Sequence, residues 1–139
     1  MDAHTTPHAF NQMIKRDSPL AAWLDLCLED VGNGRAKMRV PFATKLLRPG
    51  GVVNGPVIMA LADFAMYAAV VELDPRGAQS VTTNLNMYFL RKTTGRDLVA
   101  EARPLRSGRS HVVMDVLIYA DEEEEPVAQV SGAYVFPPA

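Results

Sequence analysis

The sequence predicts an α+β fold that combines one long helix with a mostly antiparallel sheet of about six strands. Residues 56–71 read PVIMALADFAMYAAVV, which is apolar on every side at helical spacing and predicts a buried helix. Two segments before this run and four after it have the period of two that is typical of strands. A helix that is apolar all round needs cover on every side, from a sheet that curls around it or from a second subunit.

Length and composition indicate one globular domain and exclude several classes of protein. The chain has 139 residues, so we expect one domain over 1–139, with residues 1–18 as an N-terminal helical extension. The net charge of −2 gives no basic excess for nucleic acid, and 48% hydrophobic residues argue against disorder. Cys27 is the only cysteine, which predicts no internal disulfide and a reducing compartment. The first residues do not resemble a signal peptide, so a cytoplasmic location is expected.

The first third of the chain predicts a short helix and a hairpin. Pro7 suits the first turn of a helix over 7–16, and basic residues close its end. Ser18 and Pro19 mark a break, after which residues 22–31 and 34–42 read as two strands. Between these strands lies the sequence Gly-Asn-Gly at 32–34, which is a hairpin turn signal.

The central helix and the later strands are delimited by clear stop signals. The helix is predicted over 55–73, because the following Asp-Pro-Arg-Gly at 74–77 should end it. Strands are then predicted at 79–90, 96–105, 110–120 and 126–136. An acidic loop at 121–125 separates the last two, and consecutive hairpins make the sheet mostly antiparallel.

Asp63 is the residue that points most directly to function. It is the only charged residue in the apolar run, and a buried carboxylate is costly unless it is paired or has a chemical task. A glycine-rich segment at 49–56 precedes the helix, so a helix N-terminus lies two turns before the acid. This combination predicts an active site, with a structural acid bonded to a strand backbone as the alternative. The charge of Asp63 also makes a membrane span improbable.

The chain resembles the hotdog-fold acyl-CoA thioesterases, specifically the branch related to phenylacetate degradation. The motifs that carry the resemblance are Asn-Gly-Pro at 54–56, Leu-Ala-Asp at 61–63, and the segments 82–91, 105–109 and 127–134. Together they cover about residues 20–136. Three positions depart from the family pattern. Asn54 stands where the family has a histidine, Pro56 where it has a second glycine, and Arg48 where it has an asparagine.

The resemblance implies a hotdog fold, in which a curled antiparallel sheet of about six strands wraps one long helix. It also implies a site at the interface of two subunits that pair edge to edge, in a homodimer or homotetramer. Asp63 would act as general base or nucleophile on the thioester, and the N–H of Gly55 would donate to the developing oxyanion. Asn54 is expected to cap the helix and to hydrogen-bond the carbonyl oxygen. Thr82 or Thr83 of the partner subunit would orient the water.

Further residues are expected to bind the acyl-CoA. Met59, Met66 and Tyr67 share the helix face of Asp63 and are interpreted as acyl-pocket residues, with plain core as the alternative. Arg48 is a further candidate, at the pocket mouth, with solvated surface as the alternative. Basic residues near strand ends are candidates for the CoA phosphates, with solvated surface as the alternative: Arg91, Lys92, Arg106 and Arg109.

The predicted activity is hydrolysis of an aromatic or short-to-medium acyl-CoA to the free acid and CoA. No metal or separate cofactor is expected, because CoA arrives as part of the substrate; no nucleic-acid or membrane partner is expected either. A non-catalytic acyl-CoA-binding or sensing protein is the alternative, favoured by the missing histidine. A hotdog dehydratase ranks last, since it needs a histidine near the helix acid.

Overall fold

The computed structural model describes residues 4–138, which form three α-helices and eight β-strands. The helices are α1 (Pro7–Asp17), α2 (Pro19–Leu24) and α3 (Gly55–Leu73). The strands are β1 (Cys27–Gly32), β2 (Arg35–Val40), β3 (Leu47–Arg48), β4 (Val52–Val53), β5 (Val81–Phe89), β6 (Leu98–Ser107), β7 (His111–Ala120) and β8 (Ala128–Val135). Single 3-10 turns lie at Thr44–Leu46 and Gly77–Gln79.

Six strands form one antiparallel sheet in the order β1-β2-β6-β7-β8-β5, and β3 and β4 form a second, two-stranded sheet. Helix α3 contacts all six of these strands, so the sheet curls around it. The predicted α+β architecture is therefore confirmed. The core lies between α3 and the inner face of the sheet and includes Leu61, Met66, Val70, Met114 and Ile118.

The predicted bounds of the central helix are confirmed at both ends. The backbone carbonyl of Asn54 accepts the N–H of Ile58, and the N–H of Asp74 closes the last turn on Val70. Within residues 4–138, α3 is the one helix long and apolar enough to cross a membrane. Its contacts with the sheet instead make it the core helix of the fold.

The prediction of a strand over 22–31 is wrong in its first half, because residues 19–24 form helix α2. Ser18 Oγ accepts the N–H of Ala21 at 3.2 Å, and Pro19 occupies the first turn, so the apparent break also starts a helix. Asp25 then takes a left-handed conformation with φ of 56°, which ends α2. The helix over 7–16 and the other five strands are found close to their predicted bounds.

The hairpin between β1 and β2 is confirmed, and it is anchored to α3. Asn33 and Gly34 have φ angles of 55° and 77°, as a tight hairpin turn requires. The carboxylate of Glu72, only 9% exposed, accepts the N–H of Asn33 and the N–H of Gly34, each at 3.2 Å. The last turn of α3 is thereby tied to the edge hairpin.

Candidate active site

Asp63 lies on the one stripe of α3 that the sheet does not cover. Met59 is 43% exposed, and Asp63 and Tyr67 are half-buried. These residues are spaced by four, so they follow one another along a single helix face. Within one chain the sheet leaves this stripe open, so Asp63 is reachable from outside the chain, and the cover expected from a second subunit stays a prediction.

Two hydroxyl groups bind the same oxygen of the Asp63 carboxylate. Thr82 Oγ1 donates to Oδ1 at 2.8 Å, and the Tyr134 hydroxyl donates to Oδ1 at 2.8 Å. The Tyr134 hydroxyl also lies 3.1 Å from the backbone carbonyl oxygen of Asp63. Oδ2 accepts no hydrogen bond from any residue between 4 and 138, so one oxygen is held and the other is open to a ligand.

Tyr134 is a site residue that the sequence motifs did not single out. It lies on β8, is 4% exposed, and its ring stacks on that of Tyr67 with centroids 6.2 Å apart. Burial, and then the Asp63 carboxylate, raise the pKa of Tyr134 far above the ordinary value for tyrosine. Its hydroxyl therefore stays a hydrogen-bond donor at any physiological pH.

Thr82 contacts Asp63 within the same chain. The expectation was that the partner subunit supplies this threonine. A bulge in the β5–β8 ladder lies between Thr82 and Asn84, so Thr83 has no opposite residue on β8. Thr83 is exposed and makes no side-chain hydrogen bond within residues 4–138. The catalytic role expected of Thr83 remains a prediction, whereas the contact of Thr82 with Asp63 is a feature of the single chain.

Asn54 stands at the N-cap position of α3, but the prediction that its side chain caps the helix is wrong. Its Nδ2 donates instead to the carbonyl oxygen of Leu46 at 3.2 Å, and its backbone N–H binds the same oxygen at 2.8 Å. The 3-10 turn that ends at Leu46 presents this carbonyl. Asn54 therefore fixes the start of α3 against the preceding loop.

Gly55 has a backbone N–H that no acceptor within residues 4–138 binds. It is the first residue of α3, and Pro56 after it has no N–H, so the Gly55 donor stands alone at the helix start. The ring of Phe89 packs closely here: a Cβ on Gly55 would lie 3.2 Å from Phe89 Cζ. A side chain at this position would therefore push against the Phe89 ring.

A cavity of about 370 Å³ opens beside this free N–H. It has apolar walls with a basic rim, formed by Arg48, Val52, Val53, Gly55, Ile58, Phe89, Leu90, Arg91, Lys92 and Thr93. Arg48 Nη1 donates to the carbonyl oxygen of Pro49 at 3.0 Å, and its other donors bind no acceptor within residues 4–138. The cavity can accept a ligand with an apolar group and a negative charge.

A second, polar cavity of about 770 Å³ shares part of that rim. Arg91, Lys92 and Thr93 line both cavities, and the acidic segment 122–125 forms the far wall of the second. Arg91 forms an ion pair with Glu125, and both residues line this second cavity. The acidic loop therefore shares one of the cations that border the Gly55 cavity.

The remaining predicted binding residues lie apart from this cavity. Met66 has no exposed surface and packs on Gly132, so it is a core residue, the alternative interpretation given to the methionines. Tyr67 donates its hydroxyl to the carbonyl oxygen of Ala78 at 2.9 Å. Arg106 is exposed on β6, and Arg109 lines a different cavity with Arg76 and Phe136. Neither arginine borders the Gly55 cavity of its own chain.

Comparisons with known proteins agree with the fold. The model of the family described as "Thioesterase superfamily" matches residues 50–127. A protein of Halobacterium salinarum named "Putative esterase" is 31% identical over 128 residues, covering 85% of this chain and 84% of that protein. The crystal structure of a "putative thioesterase" from Silicibacter sp. TM1040 has a TM-score of 0.86 and 33% identity, covering 99% of this chain and 96% of that one. The PaaI protein of the phenylacetic acid degradation operon of E. coli has a TM-score of 0.80 at 20% identity, covering 96% and 97%, and shares the fold.

Proposed function

The chain belongs to the thioesterase superfamily and has its hotdog fold, and we propose that it hydrolyses acyl-CoA thioesters to the free acid and CoA. The observation that carries the proposal is the Asp63 carboxylate, reachable from outside, with Oδ1 held by two hydroxyls and Oδ2 open. A carboxylate held in this way suits a base or a nucleophile.

The reaction has two routes that balance with these groups. In the first, Asp63 Oδ2 takes a proton from water, the water oxygen bonds to the thioester carbon, and the C–S bond breaks. The sulfur leaves with a proton as the CoA thiol, and the acid is released. In the second, Oδ2 attacks the carbon directly and CoA leaves as the thiolate. Water then hydrolyses the resulting anhydride to the free acid and the Asp63 carboxylate, and the proton released in that step converts the thiolate to the thiol.

The N–H of Gly55 is proposed as the oxyanion donor. It lies at the N-terminus of a 19-residue helix, where the backbone dipoles favour negative charge. Because no acceptor within residues 4–138 binds it, the donor needs no rearrangement to receive the thioester oxygen. One oxyanion-hole hydrogen bond of this kind contributes about 3 kcal/mol to lowering the barrier.

The spacing of Gly55 and Asp63 favours a site built by two subunits. They are eight residues apart on one helix, which separates them by about 12 Å along its axis. A thioester carbonyl held at Gly55 is therefore out of reach of Asp63 in the same chain. We propose a homodimer in which Asp63 of the partner subunit reaches that carbonyl, either directly or through one water. A homotetramer would be a pair of such dimers.

The edge strand β5 is the surface proposed for this pairing. Within residues 4–138 it pairs only with β8, and Val81, Tyr88 and Phe89 on it are all more than half exposed. An exposed apolar sheet edge is a template for pairing with another strand. Covering it would also cover the open stripe of α3.

The proposed substrate is an aromatic acyl-CoA of the phenylacetyl kind, or one with a short-to-medium chain. The apolar walls of the Gly55 cavity suit such a group, and Met59 and Tyr67 are proposed to extend them across the dimer. Arg48 and Arg91 on the rim are proposed to bind CoA phosphates. Arg106 and Arg109 would contact the same CoA molecule only if its nucleotide extends across two subunits. A cytoplasmic location, where CoA thioesters are made, fits this substrate.

The test is release of free thiol from a panel of acyl-CoAs by wild type, Asp63→Asn and Asp30→Asn. Asp30 is an exposed acid on β1 and serves as the matched control. We expect wild type and Asp30→Asn to turn over at the same rate, and Asp63→Asn to lose at least a hundredfold in kcat. Full turnover by Asp63→Asn would show that this carboxylate does not carry the reaction.

The alternative is a protein that binds acyl-CoA without hydrolysing it. The observation that favours it is the engagement of the Asn54 amide on the Leu46 carbonyl, which withholds that N–H from a substrate. Calorimetric binding of the same acyl-CoAs, together with no thiol release from any of them, would select this function.

A further inference from the structure

We propose that Tyr134 is a positioning residue for the reaction, because its hydroxyl holds Asp63 Oδ1 and so directs Oδ2 toward the substrate. This inference rests on the proposed thioesterase function and on the role of Asp63 in it. Strand β8, the last strand in the chain, would thus supply the residue that orients a carboxylate of α3.

The two donors reach one oxygen because they are cross-strand neighbours. Thr82 and Tyr134 stand directly opposite each other in the β5–β8 ladder, immediately before the bulge. Opposite side chains on one face of an antiparallel pair have Cβ atoms about 5 Å apart. Asp63 on α3 faces this pair, and both hydroxyls converge on Oδ1 at 2.8 Å.

Tyr134 is itself rigidly held, which is what a positioning residue needs. Its backbone pairs with Thr82 of β5 on one side and with Val112 of β7 on the other. Its ring is buried and stacks at 29° on that of Tyr67. Its hydroxyl also lies 3.1 Å from the Asp63 carbonyl oxygen, so side chain and helix backbone are fixed together.

The consequence for chemistry is a carboxylate with one orientation. A free aspartate rotates its two oxygens, whereas two donors on Oδ1 fix the plane of the group and leave Oδ2 as the reactive atom. Misplacement of a reacting group by about 1 Å is enough to cost about a hundredfold in rate. Thr82 alone, an exposed residue on an edge strand, holds the group less firmly than the buried Tyr134 does.

The test compares Tyr134→Phe with wild type in steady-state thiol release. The substitution keeps the buried ring and removes only the hydroxyl. We expect kcat to fall between about tenfold and a hundredfold, with KM changed by less than twofold and Tm lowered by only a few degrees. Tyr119→Phe is the matched control, since the Tyr119 hydroxyl on β7 makes no hydrogen bond within residues 4–138, and its kcat should equal that of wild type.

A second comparison separates positioning of Asp63 from a general structural role. In the Asp63→Asn background, Tyr134→Phe should cause no further loss of kcat, because residues that act as one unit have non-additive effects. A Tyr134→Phe protein with wild-type kcat, or an equal loss in both backgrounds, overturns the inference. A folded Tyr134→Phe protein in which KM rises while kcat falls also overturns the inference.

Failure of this inference is distinguishable from failure of the proposed function. If Asp63→Asn is inactive while Tyr134→Phe is fully active, Asp63 keeps its role and Tyr134 has none. If Asp63→Asn turns over like wild type, or wild type turns over no thioester, the proposed function and this inference fall together.

Discussion

Gly55 and Phe89 are packed so closely that a Cβ on the glycine would lie 3.2 Å from Cζ of the ring. The N–H proposed to bind the oxyanion therefore stands next to an aromatic wall of the cavity. Phe89 is 53% exposed in the single chain and lines the Gly55 cavity, so its ring can move into that cavity when it is pushed. Substitution at this position thus alters the cavity more than the fold.

Gly55→Ala should lower kcat/KM about tenfold, or about 1.4 kcal/mol, and leave Tm within a few degrees of wild type. The reason is that the new methyl group displaces the Phe89 ring into the space of the acyl group. The double variant Gly55→Ala/Phe89→Leu should recover part of the loss, because leucine is smaller than the ring. Thiol release with the best acyl-CoA is the measurement. A double variant no better than Gly55→Ala would mean that displacement of the ring is not the cause.

Arg91→Gln should raise KM for CoA thioesters, and Glu125→Gln should lower it. Glu125 pairs with Arg91 and so competes with a substrate phosphate for it. Each effect should be a few-fold, because exposed ion pairs contribute only about 1 kcal/mol or less. The measurement is KM for matched CoA and pantetheine thioesters.

Pantetheine thioesters lack the nucleotide and its phosphates, so neither variant should change their KM. Arg35→Gln, at an exposed cation on β2 outside the Gly55 cavity, should change neither constant. Equal shifts for both thioesters in Arg91→Gln would show that Arg91 acts on the acyl end or on the fold.

Glu72→Gln should destabilise the protein by about 1–3 kcal/mol. Each carboxylate oxygen of Glu72 accepts one turn N–H, from Asn33 or Gly34, and a glutamine would place an NH₂ group against one of these donors. Denaturant unfolding measures the change, with Glu101→Gln on the exposed face of β6 as the control. Equal stability of the two variants would rule out the anchoring role of Glu72.

Gly77→Ala should destabilise the protein by at least about 1–3 kcal/mol, whereas Gly32→Ala should be neutral or slightly stabilising. A Cβ on Gly77 would lie 2.2 Å from the backbone oxygen of Val70, and the backbone of α3 cannot yield to it. A Cβ on Gly32 would meet no atom of residues 4–138 within 4 Å. Thermal unfolding of the two variants checks the contrast, and an unchanged Tm for Gly77→Ala contradicts it.

The sequence predicted α3 almost to the residue, because its composition and its stop signals agree. The Gly-Pro at 55–56 starts an apolar run and the Asp-Pro at 74–75 stops it, so no other element fits. Asp63 was identified for the same reason, as the only charge in that run. Helix α2 was missed because polar and apolar residues alternate over 22–31 as they do in a strand. The side-chain cap by Ser18 instead stabilises a helix from residue 19 onward.

The partners of Asp63 could not be predicted from local patterns. Tyr134 is 71 residues away, and only the placement of β8 between β7 and β5 brings it to the carboxylate. The side-chain cap expected of Asn54 was wrong because the carbonyl of Leu46, on a turn that no pattern marked, takes its amide. Such tertiary contacts override local preferences.

The position of β5 in the sheet also sets an order of folding. Among the described strands, β5 pairs only with β8, and 38 residues (90–127) separate the two in the chain. At a synthesis rate of about 5–20 residues per second, β5 waits roughly 2–8 seconds on the ribosome for its neighbour. Until β8 is made, the apolar edge of β5 is open to aggregation. Thr82 and Tyr134 can bind Asp63 together only after β8 has paired with β5.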